Sequence, residues 1–320
     1  MARHRNHLPQ LDGGIFLTDG GLETVLIFHE NFDLPHFAAF DLLRDQAGKQ
    51  ALRNYFHTYA QIAQNDAAGF VFESPTWRAN RDWGDKLGYS TQALATVNRE
   101  AIELMSELRD TFEVPYAPMV ISGCVGPRGD GYDPGHAMSA DEAQVYHAEQ
   151  ISVFSETEAD MVTAITMTNV DEAIGIARAA EAAEIPAIIS FTVETDGRLP
   201  TGEDLASAIT EVDNATATPP AYYMINCAHP THFATDLGRG GDWIGRVRGI
   251  RANASRMSHV ELDEATELDD GDPVELASDY VVLVDRLAHI NVFGGCCGTD
   301  HRHVAQISAA CRRAAPRRAA

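Results

Sequence analysis

The feature that most restricts this chain is an alternation: short apolar runs, each followed by a longer stretch with helical spacing. Runs that are apolar throughout must be covered on both faces. They therefore point to parallel strands with helices packed outside them. The runs lie near Ile15–Asp19, Gly69–Ser74, Tyr116–Ser122, Met161–Met167, Ala187–Val193, Tyr222–Cys227, Arg248–Asn253 and Ile290–Gly294. Helices are expected between them, most clearly over Thr91–Thr111, Ser139–Ala159 and Asp171–Glu184. Ser139 with Glu142 reads as a capping box, and Pro115 and Pro186 stand where a helix must stop before a strand. Eight strand–helix units predict an α/β fold closed as a (β/α)8 TIM barrel. An open doubly wound sheet is the alternative, but no Gly-x-Gly-x-x-Gly turn follows the first run.

The 320 residues suit one such barrel with insertions. No run approaches the roughly 20 apolar residues of a membrane span. The basic start, Met1–Gln10, is not followed by an apolar signal core, so it does not read as a secretory leader. Net charge is -23, and lysine occurs only at Lys49 and Lys86. Such a surface repels phosphate backbones, so neither nucleic acid nor membrane is an expected partner. It serves solubility, or function in a salt-rich cytoplasm where ions screen self-repulsion. The five cysteines, an odd number with an adjacent pair, argue against a secreted disulfide framework and for reduced thiols in the cytoplasm.

The chemistry concentrates at two strand ends. Asn226-Cys227 closes the sixth apolar run, and Gly294-Gly295-Cys296-Cys297-Gly298-Thr299 follows the eighth. Barrel sites form at the C-terminal ends of strands, where these two loops are near neighbours. Flanking glycines let the backbone bring two adjacent side chains to one ion. Three thiolates suit Zn2+ and leave its fourth position for substrate. Three negative sulfurs make the metal a poor activator of water but leave a bound substrate sulfur electron-rich. That favours sulfur alkylation over hydrolysis. An isolated buried cysteine or a redox pair is the plainer reading, and Cys124 and Cys311 are taken as structural. His229, two residues past Cys227, is a further but weaker ligand candidate.

These motifs resemble the zinc motifs of the homocysteine S-methyltransferase family, which includes betaine- and S-methylmethionine-dependent enzymes and the homocysteine domain of methionine synthase. The likeness runs from about Phe16 to Ile307. It includes Asp19-Gly20-Gly21, Ser122-Gly123 with Gly126-Pro127, and Ser190-Phe191-Thr192 with Asp196-Gly197. The resemblance implies one barrel domain over residues 1–320, with loose ends at 1–10 and 312–320. It also implies that Cys227, Cys296 and Cys297 are the zinc ligands and catalytic centre. Asp19 and the backbone at Gly20 and Gly21 would then hold the amino-acid part of the substrate. Asn226 would orient the loop or donate to a cysteine sulfur.

The chain departs from the family at the fourth strand. Many members carry Glu-Thr there, the Glu binding the substrate ammonium; this chain reads Ala164-Ile165-Thr166. Glu73, in a segment similar to one in the methionine synthase type, is the candidate replacement; an ion pair with Arg78 or Arg81 is the plainer role. Trp77, Trp83 and Tyr132 are placed near the same mouth, where aromatic faces attract onium groups. Asn253-Ala254-Ser255 resembles a family loop segment. The expected activity is zinc-dependent methyl transfer from a small onium donor to a thiol, homocysteine giving methionine. Another thiol or selenol acceptor, or a non-catalytic zinc- or thiol-binding barrel, are the alternatives. Partners would be small molecules, and a homo-oligomer is compatible with the sequence.

Overall fold

The computed structural model describes residues 1–132, 135 and 137–314. Part of the Arg128–His136 loop and of the 312–320 tail therefore lies outside the described residues. Eight parallel strands close into a barrel in sequence order. They are β1 (Phe16–Leu17), β2 (Gly69–Glu73), β3 (Met119–Val125), β4 (Met161–Met167), β5 (Ala187–Phe191), β6 (Tyr222–Asn226), β7 (Val247–Ala252) and β8 (Val292–Gly295). Closure is made by β1 against β8, with Phe16 opposite Val292. Each strand is followed by a main helix: α1 (Gln46–Asn65), α2 (Thr91–Phe112), α3 (Ala140–Ser155), α4 (Val170–Ala182), α5 (Leu205–Asn214), α6 (Pro230–Leu237), α7 (Pro273–Arg286) and α8 (His301–Ala314). This is the expected (β/α)8 barrel. The strand ends shift by a few residues, most at β3: Tyr116 is exposed in a turn before it, because the chain must leave α2 and pass Pro118 before it can enter the ladder.

Local chemistry sets the helix starts. Asp45, Ser90, Asn169 and Asp204 accept backbone N–H groups at the first turns of α1, α2, α4 and α5. Ser139 and Glu142 form the reciprocal capping box at α3. Phe70 and Phe72 point outward into the large core shared with the helices. Alternate residues point inward, since strand side chains change face at each step.

The inward layer changes character along the barrel. Near the strand starts it is apolar: Phe16, Val71, Val120, Met161, Ile188, Tyr222 and Val292 pack together. Two residues further on, the same faces carry Glu73, Ser122, Thr163 and Ser190, all buried. Asn226 and Arg251, also buried, occupy the ends of β6 and β7. A polar layer at the C-terminal end is where a barrel builds its site.

The N-terminal stretch expected to be loose is anchored instead. Arg5 donates to the carbonyls of Ser155, Thr157 and Ala159, and the His4 N–H donates to Asp160. Leu8 joins the inner apolar layer. Gln10 is fully buried, donating to Tyr222 Oη at 3.3 Å, while Asn291 Nδ2 donates to its carbonyl at 2.8 Å. The segment fits because its polar groups replace the backbone partners missing at the starts of the strands. At the other end, Arg312–Ala314 belong to α8, and Arg312 pairs with Asp66. No helix among the described residues is long and apolar enough to cross a membrane.

Candidate functional site

β6 ends in a sharp turn. Cys227 adopts φ +52°, a left-handed conformation rare for a residue with a Cβ. The strain is held by neighbours: its N–H donates to the Arg251 carbonyl, and its carbonyl accepts from Asn253 Nδ2 at 3.0 Å and faces His259 Nε2 at 2.8 Å. The turn aims Cys227 across the mouth at the loop after β8. There the sulfurs of Cys227, Cys296 and Cys297 all lie within 4.8 Å of one another. Cys227 and Cys296 are paired as a disulfide with a Cα–Cα distance of 5.4 Å, and Cys297 is free. A two-electron reduction returns all three thiols.

The three sulfurs suit a metal. A tetrahedral Zn–S shell with bonds of about 2.3 Å has edges of about 3.8 Å, and Cys297 Sγ stands 4.0 Å from Cys227 Sγ. Each sulfur also faces one donor. Thr166 Oγ1 approaches Cys227 and Asn226 Nδ2 approaches Cys296, both at 3.8 Å, while Tyr132 Oη approaches Cys297 at 3.4 Å. One donor per sulfur is the arrangement that steadies thiolate ligands. Burial pushes the Cys297 thiol up, and the Tyr132 hydroxyl pulls against it.

Asn226 is a junction of hydrogen bonds at the end of β6. Its Oδ1 accepts from Thr166 N–H at 3.0 Å and from Ser190 Oγ at 2.6 Å, and its Nδ2 donates to Thr166 Oγ1 at 2.8 Å. It thereby ties β4, β5 and the cysteine loop together. Thr166 is itself at φ +65°, beside an irregularity in the β4–β5 register.

A cavity of about 170 Å³ opens beside the sulfurs. Among its lining residues are Asp19, Glu73, Trp77, Tyr132, Ile165 and Arg251. Asp19 is buried and engaged on both oxygens, Oδ1 by Arg251 Nη2 at 2.7 Å and Oδ2 by Tyr55 Oη at 3.1 Å. Burial pushes its carboxyl up against the pull of Arg251. Gly20 and Gly21 run so close to the next loop that a Cβ would strike Thr299 O at 2.8 Å or Cys296 O at 2.6 Å. The Gly21 N–H donates to Thr299 O at 3.0 Å. These three positions therefore join the β1 turn to the cysteine loop and to Arg251. The Asp19 oxygens and the Gly21 N–H, which the resemblance places against substrate, each make a contact within the protein and border the cavity.

Glu73 is the carboxylate left over. Neither arginine weighed as its partner takes it: Arg78 pairs with Asp130 and Arg81 with Glu149. Its Oε2 is buried without a hydrogen bond, and burial raises the carboxyl to about 7 against the pull of Arg251. Trp77 and Tyr132 line the cavity, whereas Trp83 is not in its lining and stacks on Arg78, 3.7 Å from its centroid. Tyr132 also stacks on His259 at 4.0 Å. His229 stays out of the sulfur cluster and caps α6 through Thr231 N–H.

Among the lining residues that escaped the sequence reading as site residues, three carry reactive or ionisable groups close to the sulfurs or to Asp19. Cys124, taken as structural, faces the cavity. Glu23 lies in the turn after β1, and burial raises its carboxyl to about 7. Arg251 is buried in β7, a strand that also carries Arg248, so nothing in the sequence singled it out.

Comparison with known proteins agrees with this architecture. The homocysteine S-methyltransferase family model matches residues 16–311. A selenocysteine Se-methyltransferase from Brassica oleracea var. italica is 22% identical over 311 residues, covering 90% of this chain and 86% of that protein. The oxidised form of the homocysteine methyltransferase MmuM from Escherichia coli superposes with a TM-score of 0.74 at 19% identity, over 92% of this chain and 95% of that one. Its metallated form gives the same TM-score at 17% identity, over 94% and 98%. The two structural matches share the fold, and the family match carries the activity class: the chain belongs to the homocysteine S-methyltransferase family and is a methyltransferase.

Proposed function

We propose that this chain moves a methyl group from a small onium donor to a thiol, homocysteine giving methionine, with Cys227, Cys296 and Cys297 as zinc ligands. The observation that carries the reading is the convergence of three sulfurs, each facing its own donor, at the C-terminal mouth of the barrel. Zinc bound there would lower the pKa of the acceptor thiol so that sulfur attacks as thiolate near neutral pH.

The protein's own groups do the rest. Asn226, Thr166 and Tyr132 fix the sulfurs and temper their charge. Asp19, with the close-passing Gly20 and Gly21, holds the β1 turn and Arg251 in place, and Glu73 receives the acceptor's ammonium. Trp77 and Tyr132 offer aromatic faces to the onium group, and Glu23 adds a carboxylate. Displacement needs donor and acceptor in line, which a narrow buried cavity enforces. The three thiols must be reduced, as they would be in the cytoplasm.

The test is zinc content and methionine formation, with a panel of onium donors, for reduced wild-type protein and Cys297→Ala. About one zinc per chain, lost with turnover in the variant, supports the reading. Absence of zinc from reduced wild-type protein overturns it. Zinc without turnover on homocysteine or its selenol analogue leaves a binding barrel. The selenol belongs in the assay because the Brassica relative is named for selenocysteine.

A further inference from the structure

Two buried polar atoms of opposite charge line the cavity without a partner: Arg251 Nη1 and Glu73 Oε2. Both side chains are more than nine-tenths buried. An orphaned charge inside a barrel is costly unless something in the working molecule completes it.

The guanidinium of Arg251 is fixed in orientation. Nη2 donates to Asp19 Oδ1 at 2.7 Å and to the Gly20 carbonyl at 3.3 Å, and Nε donates to the Gly295 carbonyl at 3.1 Å. Nη1 is the edge left over. Glu73 reaches the same space from β2, beside the hydroxyls of Ser122 and Thr163. Each charge acts on the other through space, yet no ion pair joins them. A gap flanked by a guanidinium edge and a carboxylate oxygen matches a molecule bearing carboxylate and ammonium on one carbon.

We propose that Arg251 and Glu73 form a clamp for the zwitterionic head of an α-amino-acid acceptor, the carboxylate on Arg251 Nη1 and the ammonium on Glu73 Oε2. The clamp rests on the thiol methyl-transfer reading and names the residues that give it an amino-acid substrate. Its place beside the sulfurs assigns it to the acceptor rather than the donor. The Arg251 carbonyl holds the N–H of Cys227 at 3.2 Å, and its side chain holds the carbonyl preceding Cys296. A head gripped there lies in the cavity that all three sulfurs also line. Ile165 leaves β4 without a carboxylate, and Glu73 supplies one from β2.

The experiment is calorimetric binding of homocysteine, its decarboxylated analogue and its deaminated analogue to reduced, zinc-loaded protein, with methyl transfer measured in parallel. Wild type should bind homocysteine at least about tenfold more tightly than either analogue. Glu73→Gln should lose the preference over the deaminated thiol and keep that over the decarboxylated one. Arg251→Met should do the reverse. Arg251→Lys keeps the charge but not the fork, and should weaken only the carboxylate-dependent preference if the methionine variant fails to fold. A variant that weakens all three thiols alike, or a wild type that does not distinguish them, overturns the clamp. Wild-type protein that methylates no thiol overturns the underlying reading; one that methylates all three equally well overturns the clamp alone.

Discussion

The Tyr132 hydroxyl stands 3.4 Å from Cys297 Sγ and, among the described residues, is the single donor that sulfur receives from the loop after β3. Donors to a ligand sulfur disperse its charge and hold its direction. Tyr132→Phe is therefore expected to lower metal affinity about tenfold, read by competition with a chromogenic chelator. An unchanged affinity would remove Tyr132 from the support of the centre.

Asn226 joins two strands and the cysteine loop through four hydrogen-bonding contacts. In Asn226→Ala the Thr166 N–H and the Ser190 hydroxyl lose their buried acceptor. The expected loss is on the order of 2–4 kcal/mol in denaturant unfolding, together with weaker metal binding. A loss of stability with metal affinity intact would make Asn226 a fold residue only.

Glu73 gives a pH dependence with a definite sign. Burial raises its folded-state carboxyl from 4.5 to about 7. Below the lower value it is protonated in both states, and its neutral form stabilises the fold fully. As pH rises through about 7, that stability is lost, because the native barrel must hold a charge it disfavours. Glu73→Gln should thus raise unfolding stability by on the order of 1–3 kcal/mol at about pH 8 and change little at about pH 5. Thermal melts of ligand-free protein at the two pH values decide it, and a stabilisation found only at acid pH would contradict the assignment.

Glu23 lines the cavity, and among the described residues no cation pairs with it: Arg78 is held by Asp130 and Arg251 by Asp19. Glu23→Gln is expected to raise the KM for an onium donor by roughly three- to tenfold and leave that for the thiol unchanged. Steady-state kinetics with each substrate varied separately would show it. A rise confined to the thiol would move Glu23 to the acceptor side.

Much of this was legible in the chain itself. Apolar runs such as Gly69–Glu73 and Met161–Met167 announced parallel strands because they are buried on both faces. The cysteine loop announced itself because glycines beside adjacent thiols let the backbone bring both to one ion, and in the fold those glycines also pass close to Thr18, Thr299 and Asp269. Arg251 was not legible, since its meaning depends on Asp19 and Gly295, residues 232 and 44 positions away. Nor could the order of residues tell that both Asp19 oxygens are engaged within the protein, by Tyr55 and Arg251. The first ten residues misled for a related reason: their basic, polar character reads as solvated until the carbonyls that receive Arg5 are seen.

That N-terminal segment has a consequence for the order of events. With Leu8 in the apolar layer at the strand starts and Gln10 buried against Tyr222 and Asn291, the lower end of the barrel is filled, and the cavity lies at the other end like a well. Whatever sits deepest must go in first and come out last. Under the proposed reading the thiol is the leading substrate, the spent donor departs ahead of it, and the methylated thioether is the final product released. A donor added before the thiol would act as a lid on an empty well.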